Sequence, residues 1–297
     1  MSHSHGSATS RRLWAALVAN VALVVFQVGA GAAAHSVALL SDAAHNLTDV
    51  AAVGLALAAV LMARRAPTSR RSYGWVRGGV LAAQANAAAV VGLSALLLYA
   101  TIERFRSPEP VRGSLVFFAA MLAVAVNLSA AMGLRHEHDL GVRAAWLHLA
   151  ADAATSLVVA LSGLVIAVTG RFEVLDPVAS AVVALVVLVS GWRLLRQANA
   201  VLLEGTPSDV APASMESAMT AVPGVESVHD LHVWSLDGRR HAMSVHVVVA
   251  GHPTLEEAQA VATEVKRAVS APFSIAHATV ELECEGCVDD GNWCAIR

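Results

Sequence analysis

The chain is poor in lysine and in charged residues of every kind. Lys266 is its one lysine among 297 residues, and 14% of the chain is charged while 56% is hydrophobic. Because soluble domains are about 25% charged, this composition argues against an ordinary soluble protein and favours a membrane protein. Arginine and alanine in place of lysine suggest a GC-rich bacterial genome, and hence a bacterial plasma membrane.

Cysteine is equally scarce and is confined to one end. The three cysteines, Cys284, Cys287 and Cys294, all fall within the last 14 residues, so the chain has no disulfide framework. Cys284 and Cys287 have the spacing of metal ligands, but a tail with dispensable thiols would show the same pattern.

Acidic and basic residues are unevenly divided along the chain. Residues 207–297 carry 13 acidic and 5 basic side chains, a balance of −8, whereas residues 1–206 carry 10 and 15, a balance of +5. The acidic part argues against nucleic acid as a partner and suits cations. The basic part suits membrane lipid headgroups.

Six apolar segments are each near the roughly 20 residues that a helix needs to cross a bilayer. They span residues 13–34, 37–62, 78–101, 113–134, 142–169 and 175–195. Arginines concentrate in alternate loops, which predicts that both termini are cytoplasmic. Arg11 and Arg12 before the first segment could also begin a signal peptide, but the segment is long for one and its removal would leave five spans.

After Thr206-Pro207 the pattern becomes that of a small soluble domain. The predicted elements are a helix at 211–221, strands at 225–235 and 240–249, a helix at 254–270 and a strand at 274–283. We therefore predict a membrane all-α six-helix transmembrane bundle followed by a cytosolic α+β domain of order α-β-β-α-β, similar to a metallochaperone. The predicted divisions are a cytosolic tail 1–12, a bundle 13–199, a linker 200–206, an α+β domain 207–283 and a cysteine-containing tail 284–297.

One polar pattern occurs twice within the apolar segments, as His45…Asp49 and His148…Asp152. Residues i and i+4 of a helix lie on one face, so each pattern presents an imidazole and a carboxylate together. Ionisable groups in a membrane helix are expensive and usually functional, although polar groups also hold helices together. Two such pairs would make a tetrahedral site suited to zinc.

The predicted hairpin brings further histidines together. Asp237-Gly238 is a strong hairpin signal. Treated as a two-residue turn, it predicts the opposing pairs His229–His246, Trp234–His241 and His232–Met243. Opposing Cβ atoms lie about 5 Å apart, which is close enough for two ligands of one metal ion.

The last strand presents polar side chains on one face. His277, Glu281 and Glu283 share that face by alternation, which fits either a metal site or a solvated sheet surface. His241 and His252 are predicted to be ordinary surface residues.

Several other polar residues lie in or beside the apolar segments. Asp42 shares the face of His45, where it could line the approach to the site or serve as a structural carboxylate. Hydrogen bonds between helices are predicted for most of four polar residues within the segments, Asn20, Gln27, Asn86 and Asn127. His136 and His138 lie in a predicted cytoplasmic loop and could either pass metal inward or form a solvated turn.

These motifs resemble those of a known family. Leu40–Asp49 resembles the second transmembrane helix of the cation diffusion facilitators, and His148–Asp152 resembles the fifth. The other matching positions are Tyr73-Gly74-Trp75 with Arg77, Asp176-Pro177, Leu203–Pro207 and His229–Trp234. The resemblance covers nearly the whole chain and points to the zinc-preferring branch.

The resemblance implies a homodimer that exports divalent metal from the cytoplasm against protons, zinc (Zn2+) above all, with Cd2+ or Co2+ tolerated. The residues that it implies for the transported ion are His45, Asp49, His148 and Asp152. Those implied for a cytosolic metal site are His229, His246, His277 and Glu283. Resemblance to some zinc transporters also suggests a site in which Cys284 and Cys287 join His3 and His5 across the dimer.

The chain departs from the family in two places. Gly79 stands where members usually carry an acidic residue, and residues 66–71 lack the ligands of a second loop site that some members have. The resemblance further implies a charge contact between Arg77 and Glu204.

Two other functions remain to be weighed against efflux. A metal-responsive sensor would use the soluble domain and need the helices only as an anchor, which leaves the paired histidines and aspartates unexplained. An intramembrane metalloenzyme could use metal to activate water, but the chain has no His-Glu-x-x-His pattern and no open ligand position is evident.

Overall fold

The computed structural model describes residues 5–63, 65–134 and 140–284. Six long helices come first, as the sequence predicted. They are α1 (His5–Ala34), α2 (Val37–Ala63), α3 (Gly78–Arg106), α4 (Gly113–Leu134), α5 (Leu140–Thr169) and α6 (Leu175–Leu202). Within the described residues, four of them, α3 to α6, contain stretches long and apolar enough to cross a membrane.

The chain forms two compact units. The first comprises Met1–Leu57 and Ala85–Leu195, and the second comprises Ala58–Gln84 and Arg196–Arg297. The ends of α2, α3 and α6 therefore belong to the same unit as the α+β region.

The core of the first unit is built largely from small side chains. Its buried members come from all six helices and are Ala30, Ala34, Ala38, Leu39, Val90, Val116, Ala119, Ala120, Val159, Ala160, Ala179, Val183 and Val187. Small residues let helix backbones approach closely in a membrane. The closest approach joins α4 and α5, where a Cβ atom on Gly163 would lie 2.7 Å from the backbone nitrogen of Phe117 and 2.9 Å from the carbonyl oxygen of Gly113.

Buried hydrogen bonds join the helices in two groups. In the first, Gln27 of α1 donates to Asp42 of α2 at 2.6 Å and accepts from Asn46 at 2.9 Å. The second group joins α2, α3 and α6 through three hydroxyls. The hydroxyl of Ser180 on α6 lies 2.8 Å from that of Ser41 on α2 and 2.7 Å from that of Thr101 on α3.

The start of α2 is capped by a side chain from α6. The backbone N–H groups of Val37 and Ala38 donate to the carboxylate of Asp176 at 2.8 Å and 3.4 Å, and the hydroxyl of Ser36 donates to it as well. The first N–H groups of a helix have no partner within the helix, and a negative charge at this end is favourable. Asp176 is fully buried.

The α+β region has the predicted order α-β-β-α-β. Its elements are α7 (Pro212–Thr220), β1 (Val225–Ser235), β2 (His241–Val249), α8 (Leu255–Ser270) and β3 (Ile275–Glu283). The sheet order is β1-β2-β3, with β2 antiparallel to β1 and parallel to β3. Both helices bury apolar side chains in the same core as β2, among them Met215, Met219, Val265, Val269, Met243 and Val245.

The β1–β2 hairpin has the predicted pairing at one end only. His229 lies opposite His246, as predicted. Nearer the turn the register has moved by one residue, and the pairs are His232–Ser244, Val233–Met243, Trp234–Ala242 and Ser235–His241. The predicted Trp234–His241 and His232–Met243 pairs are therefore wrong.

A bulge and a longer turn explain the shift. The irregularity contains Asp230, whose φ of 50° is in the left-handed region, and a bulge of this kind adds one residue to one strand. The turn closes with Leu236 donating to the carbonyl of Arg240 at 2.8 Å. Burial raises the pKa of Asp237 in this turn, but hydrogen bonds from the backbone of Arg240 and Arg239 outweigh burial and hold the pKa below its ordinary value.

The predicted contact between Arg77 and Glu204 is confirmed, with 3.1 Å between Nη2 and Oε1. The two side chains are 33% and 63% exposed. A pair this open to solvent contributes about 0–1 kcal/mol.

The close contact between α4 and α5 leaves no room for a side chain at Gly163. We expect Gly163→Ala to lower the free energy of unfolding by about 1–3 kcal/mol, since its Cβ would meet backbone atoms that cannot move independently. Thermal unfolding of the purified protein in detergent would measure the change. Gly29→Ala is the matched control, because a Cβ atom on Gly29 has nothing within 4 Å. Equal melting temperatures for the two variants would contradict the close approach.

Candidate metal sites

The two His-x-x-x-Asp patterns converge, one on α2 and the other on α5. Nε2 of His45 lies 3.1 Å from Oδ1 of Asp152, across the two helices. Nε2 of His148 lies 3.5 Å from Oδ1 of Asp49 and 3.7 Å from Oδ2 of Asp152. Each helix therefore supplies one imidazole and one carboxylate to a single cluster.

The spacing of these atoms suits a small tetrahedral ion. Zinc ligands at about 2.0–2.1 Å from the metal are about 3.3–3.4 Å from one another. The separations run from 3.1 to 3.9 Å, close to this value or somewhat above it. Donor atoms of His45, Asp49 and Asp152 all lie within 4.8 Å of one another, and His148 is not part of that close set. Two nitrogen and two carboxylate donors are also a set that zinc accepts.

The cluster is closed on one side and open on the other. The side chains of His45 and Asp152 are 13% and 6% exposed, whereas that of His148 is 55% exposed. Among the described residues, Nδ1 of His45 has no hydrogen-bond partner although it is buried. A cavity of about 280 Å³ borders the open side and is lined by Asp49, His148 and Asp152, among others. An ion could therefore enter from the side of His148.

Asp42 lies three residues before His45 on α2 and forms hydrogen bonds to two other helices. Its carboxylate is fully buried and accepts hydrogen bonds from Gln27 and from Ser156 of α5, the latter at 2.9 Å. These contacts favour the structural interpretation of Asp42 over a place on the route to the site.

A second cluster lies across the three strands of the sheet. The rings of His229 and His246 are 5.2 Å apart, and both face Glu283, at 3.3 Å from Nε2 of His229 and 2.8 Å from Nδ1 of His246. Asp230 and Glu281 come within 3.7 Å and 3.6 Å of Nε2 of His246. The pairing of His229 with His246 was predicted from the sequence. The approach of Asp230 was not, because it depends on the bulge.

His277 does not join this cluster. It lies opposite Ala242, whereas Glu281 lies opposite His246, so that three residues of β3 lie between the two positions. Its ring contacts the ring of Tyr73 instead, with 5.7 Å between centroids.

The structure corrects one prediction for the remaining histidines and leaves others open. His241 is 1% exposed, with Nε2 at 3.3 Å from Asp209, so its predicted place on the surface is wrong. His252 is exposed, as predicted. Cys284 is exposed. The other residues of the predicted tail and loop sites, Cys287, Cys294, His3, His136 and His138, lie outside the described residues, and for His5 the description covers the backbone only.

Most of the chain matches two family models. Residues 13–203 match the cation efflux transmembrane domain, and residues 207–285 match the cytoplasmic domain of cation efflux proteins. The chain therefore belongs to the cation efflux family.

Curated relatives match it over nearly their full length. The zinc transporter ZitB of Escherichia coli is 36% identical over 97% of this chain and 94% of its own. The metal cation efflux system protein CzcD of Cupriavidus metallidurans is 35% identical over 96% and 90%, and the solved metal-bound C-terminal domain of CzcD aligns to 25% of this chain and 99% of that domain at 36% identity and a TM-score of 0.23. The cadmium, cobalt and zinc/H(+)-K(+) antiporter of Bacillus subtilis is 29% identical over 96% and 93%.

If the cluster of His229, His246 and Glu283 binds a metal ion, its removal should lower the number of ions bound per chain. We expect the double variant His229→Ala and His246→Ala to bind at least one zinc ion fewer per chain than the parent, because it removes both nitrogen donors of the cluster. Zinc bound after equilibrium dialysis of the purified chain would measure this. His252→Ala is the control, since it removes an exposed histidine elsewhere in the same unit. An unchanged zinc count in the double variant would show that the cluster is not a metal site.

Proposed function

We propose that this chain exports divalent metal ions, zinc above all, from the cytoplasm in exchange for protons. The observation that carries the proposal is the convergence of His45, Asp49, His148 and Asp152 between two membrane helices, beside a cavity that reaches them. A binding site inside a membrane domain, open on one side, is what a carrier requires.

The relatives support the same function and its metal range. The relative from Escherichia coli is named a zinc transporter, and that from Cupriavidus metallidurans a metal cation efflux system protein. The relative from Bacillus subtilis is named a cadmium, cobalt and zinc/H(+)-K(+) antiporter. All three names are those of transporters, and the family is one of transporters, so the chain is a transporter and not an enzyme. Zinc with tolerance for cadmium or cobalt is the metal range that we propose.

Exchange with protons follows from the chemistry of the ligands. Zinc binds the neutral imidazole and the ionised carboxylate, so protons and metal compete for the same atoms of His45, Asp49, His148 and Asp152. Histidine changes charge near physiological pH. On the side of the membrane with more protons the ligands release the metal, and on the other side the metal displaces the protons.

The second cluster has a regulatory role in this proposal. Residues 207–297 carry a balance of −8, so two copies of the α+β region repel each other. Metal at His229, His246 and Glu283 would neutralise part of that charge and favour a homodimer. The cytoplasmic position of this region and of both termini, and the plasma membrane as location, rest on the distribution of arginine.

We retain the bundle at 13–199 and the cytosolic domain at 207–283 as the working division of the chain. A membrane-anchored metal sensor is disfavoured, because an anchor has no use for a ligand cluster between α2 and α5.

Vesicles with a pH gradient test the exchange directly. With the purified chain in vesicles that contain a zinc-sensitive dye, we expect zinc to accumulate when the interior is the acidic side. Each proton exchanged should multiply the steady-state zinc ratio by about tenfold per pH unit. Collapse of the gradient with a proton ionophore should release the accumulated zinc. Zinc entry that ignores the gradient would rule out proton exchange, and no entry at all would favour the sensor.

Removal of a core carboxylate should abolish this flux. We expect Asp49→Ala and Asp152→Ala each to lower zinc uptake to the level of vesicles without protein, because each variant loses one of two negative charges that hold the ion. The control is Glu103→Ala, which removes an exposed carboxylate of α3 that pairs with Arg106. Uptake near that of the parent in either aspartate variant, at matched protein content, would refute the core site.

A further inference from the structure

One buried amide N–H group in the described residues of the first unit has no hydrogen-bond partner. Asn127 of α4 is 3% exposed, and in the part of the chain that the structure describes its Nδ2 has no hydrogen-bond partner. Gln27 and Asn46, by contrast, bond to each other. An unpaired amide group in the membrane interior costs several kcal/mol. The N–H group of Asn127 therefore makes no hydrogen bond between helices, and its presence needs another reason.

Asn127 lines the cavity that borders the core site. The polar residues around this cavity are Asn20, Asn46, Asp49, Asn127, His148 and Asp152. Within the described residues of this unit, just one other buried polar side-chain atom has no hydrogen-bond partner, and it is Nδ1 of the core-site residue His45. The orphaned amide and the metal ligands thus border the same space.

The size of the cavity indicates what fills it. A water molecule occupies about 30 Å³ of liquid, so a cavity of about 280 Å³ has room for an ion with its six waters, which need about 180 Å³. The core ligands, with 3.1 Å between atoms of His45 and Asp152 and 3.7 Å between atoms of His148 and Asp152, leave room among them for an ion without its waters. A cation must therefore lose its waters between the cavity and the ligands.

We propose that Asn127 is a positioning residue that holds a water molecule of the entering cation. The inference rests on the proposed function and names a residue that serves it. A water bound to a cation has its oxygen on the metal, so it donates to the carbonyl oxygen of Asn127, while the unpaired N–H group of the amide can donate to a further water in the cavity. While it holds one water in place, His148, Asp49 and Asp152 replace the others one at a time, and the ion is not stripped in a single step.

This role makes the effect of Asn127 depend on the metal. Zinc is smaller than cadmium and attracts the oxygen of its waters more strongly, because the Coulomb energy rises as the distance falls. Loss of the amide should therefore slow zinc more than cadmium. A residue that served packing alone would affect both metals equally.

Uptake by vesicles under a pH gradient tests the proposal. Zinc and cadmium uptake would be compared for the parent, Asn127→Leu, Asn127→Ala and Asn127→Ser. We expect the leucine and alanine variants to lower kcat/KM for zinc by about three- to tenfold, and to lower that for cadmium less. Serine, which is close to alanine in size but carries a hydroxyl, should restore most of the zinc rate. Asn86→Leu on α3 is the control for replacing an amide elsewhere in the same unit.

Each outcome has a definite meaning. Zinc binding at equilibrium should keep its stoichiometry in all three Asn127 variants, since the four ligands are intact. A loss of binding, equal losses for the two metals, or a serine variant no better than alanine would assign Asn127 to packing and overturn the proposal. Parent-like uptake in the leucine and alanine variants would also overturn it while the proposed function stands. A parent that moves neither metal would refute the proposed function, and the role of Asn127 with it.

Discussion

Two carboxylates placed together in a membrane interior require positive charge beside them. Asp49 and Asp152 both lie within 4 Å of imidazole nitrogens on α2 and α5. A buried charge without a partner is strongly destabilising, so these carboxylates are stable only when protons or a cation supply the balance. In the proposed function, this requirement makes a divalent ion and protons alternative occupants of one place, and the exchange of one for the other would follow from it.

The rest of the first unit serves to hold the two helices at the necessary distance. Glycine at the α4–α5 contact allows α5 to pack closely on α4, and Asp42 joins α1, α2 and α5 through its hydrogen bonds to Gln27 and Ser156. None of the residues in these contacts lines the cavity, which borders Asp49, His148 and Asp152.

Local patterns predicted the elements and the core pairs, whereas contacts that depend on one unusual backbone conformation were missed. The spacing of His45 and Asp49 needs only helical periodicity, and so does that of the pair on α5. The register of β1 and β2 changes at Asp230, whose left-handed φ no alternation pattern reveals. The exposure of His148 could not be predicted either, since it depends on the cavity.

The capping of α2 by Asp176 bears on how the site could open. The carboxylate of α6 holds the first turn of α2 through two backbone N–H groups and one hydroxyl, while His45 and Asp49 lie two to three turns further along. The first turn of α2 is thereby attached to α6. A sliding motion of α2 along its axis would break the cap, whereas a tilt about the attached end keeps it. In such a tilt a ligand would move farther the more distant it is from Asp176, so Asp49 would move farther than His45.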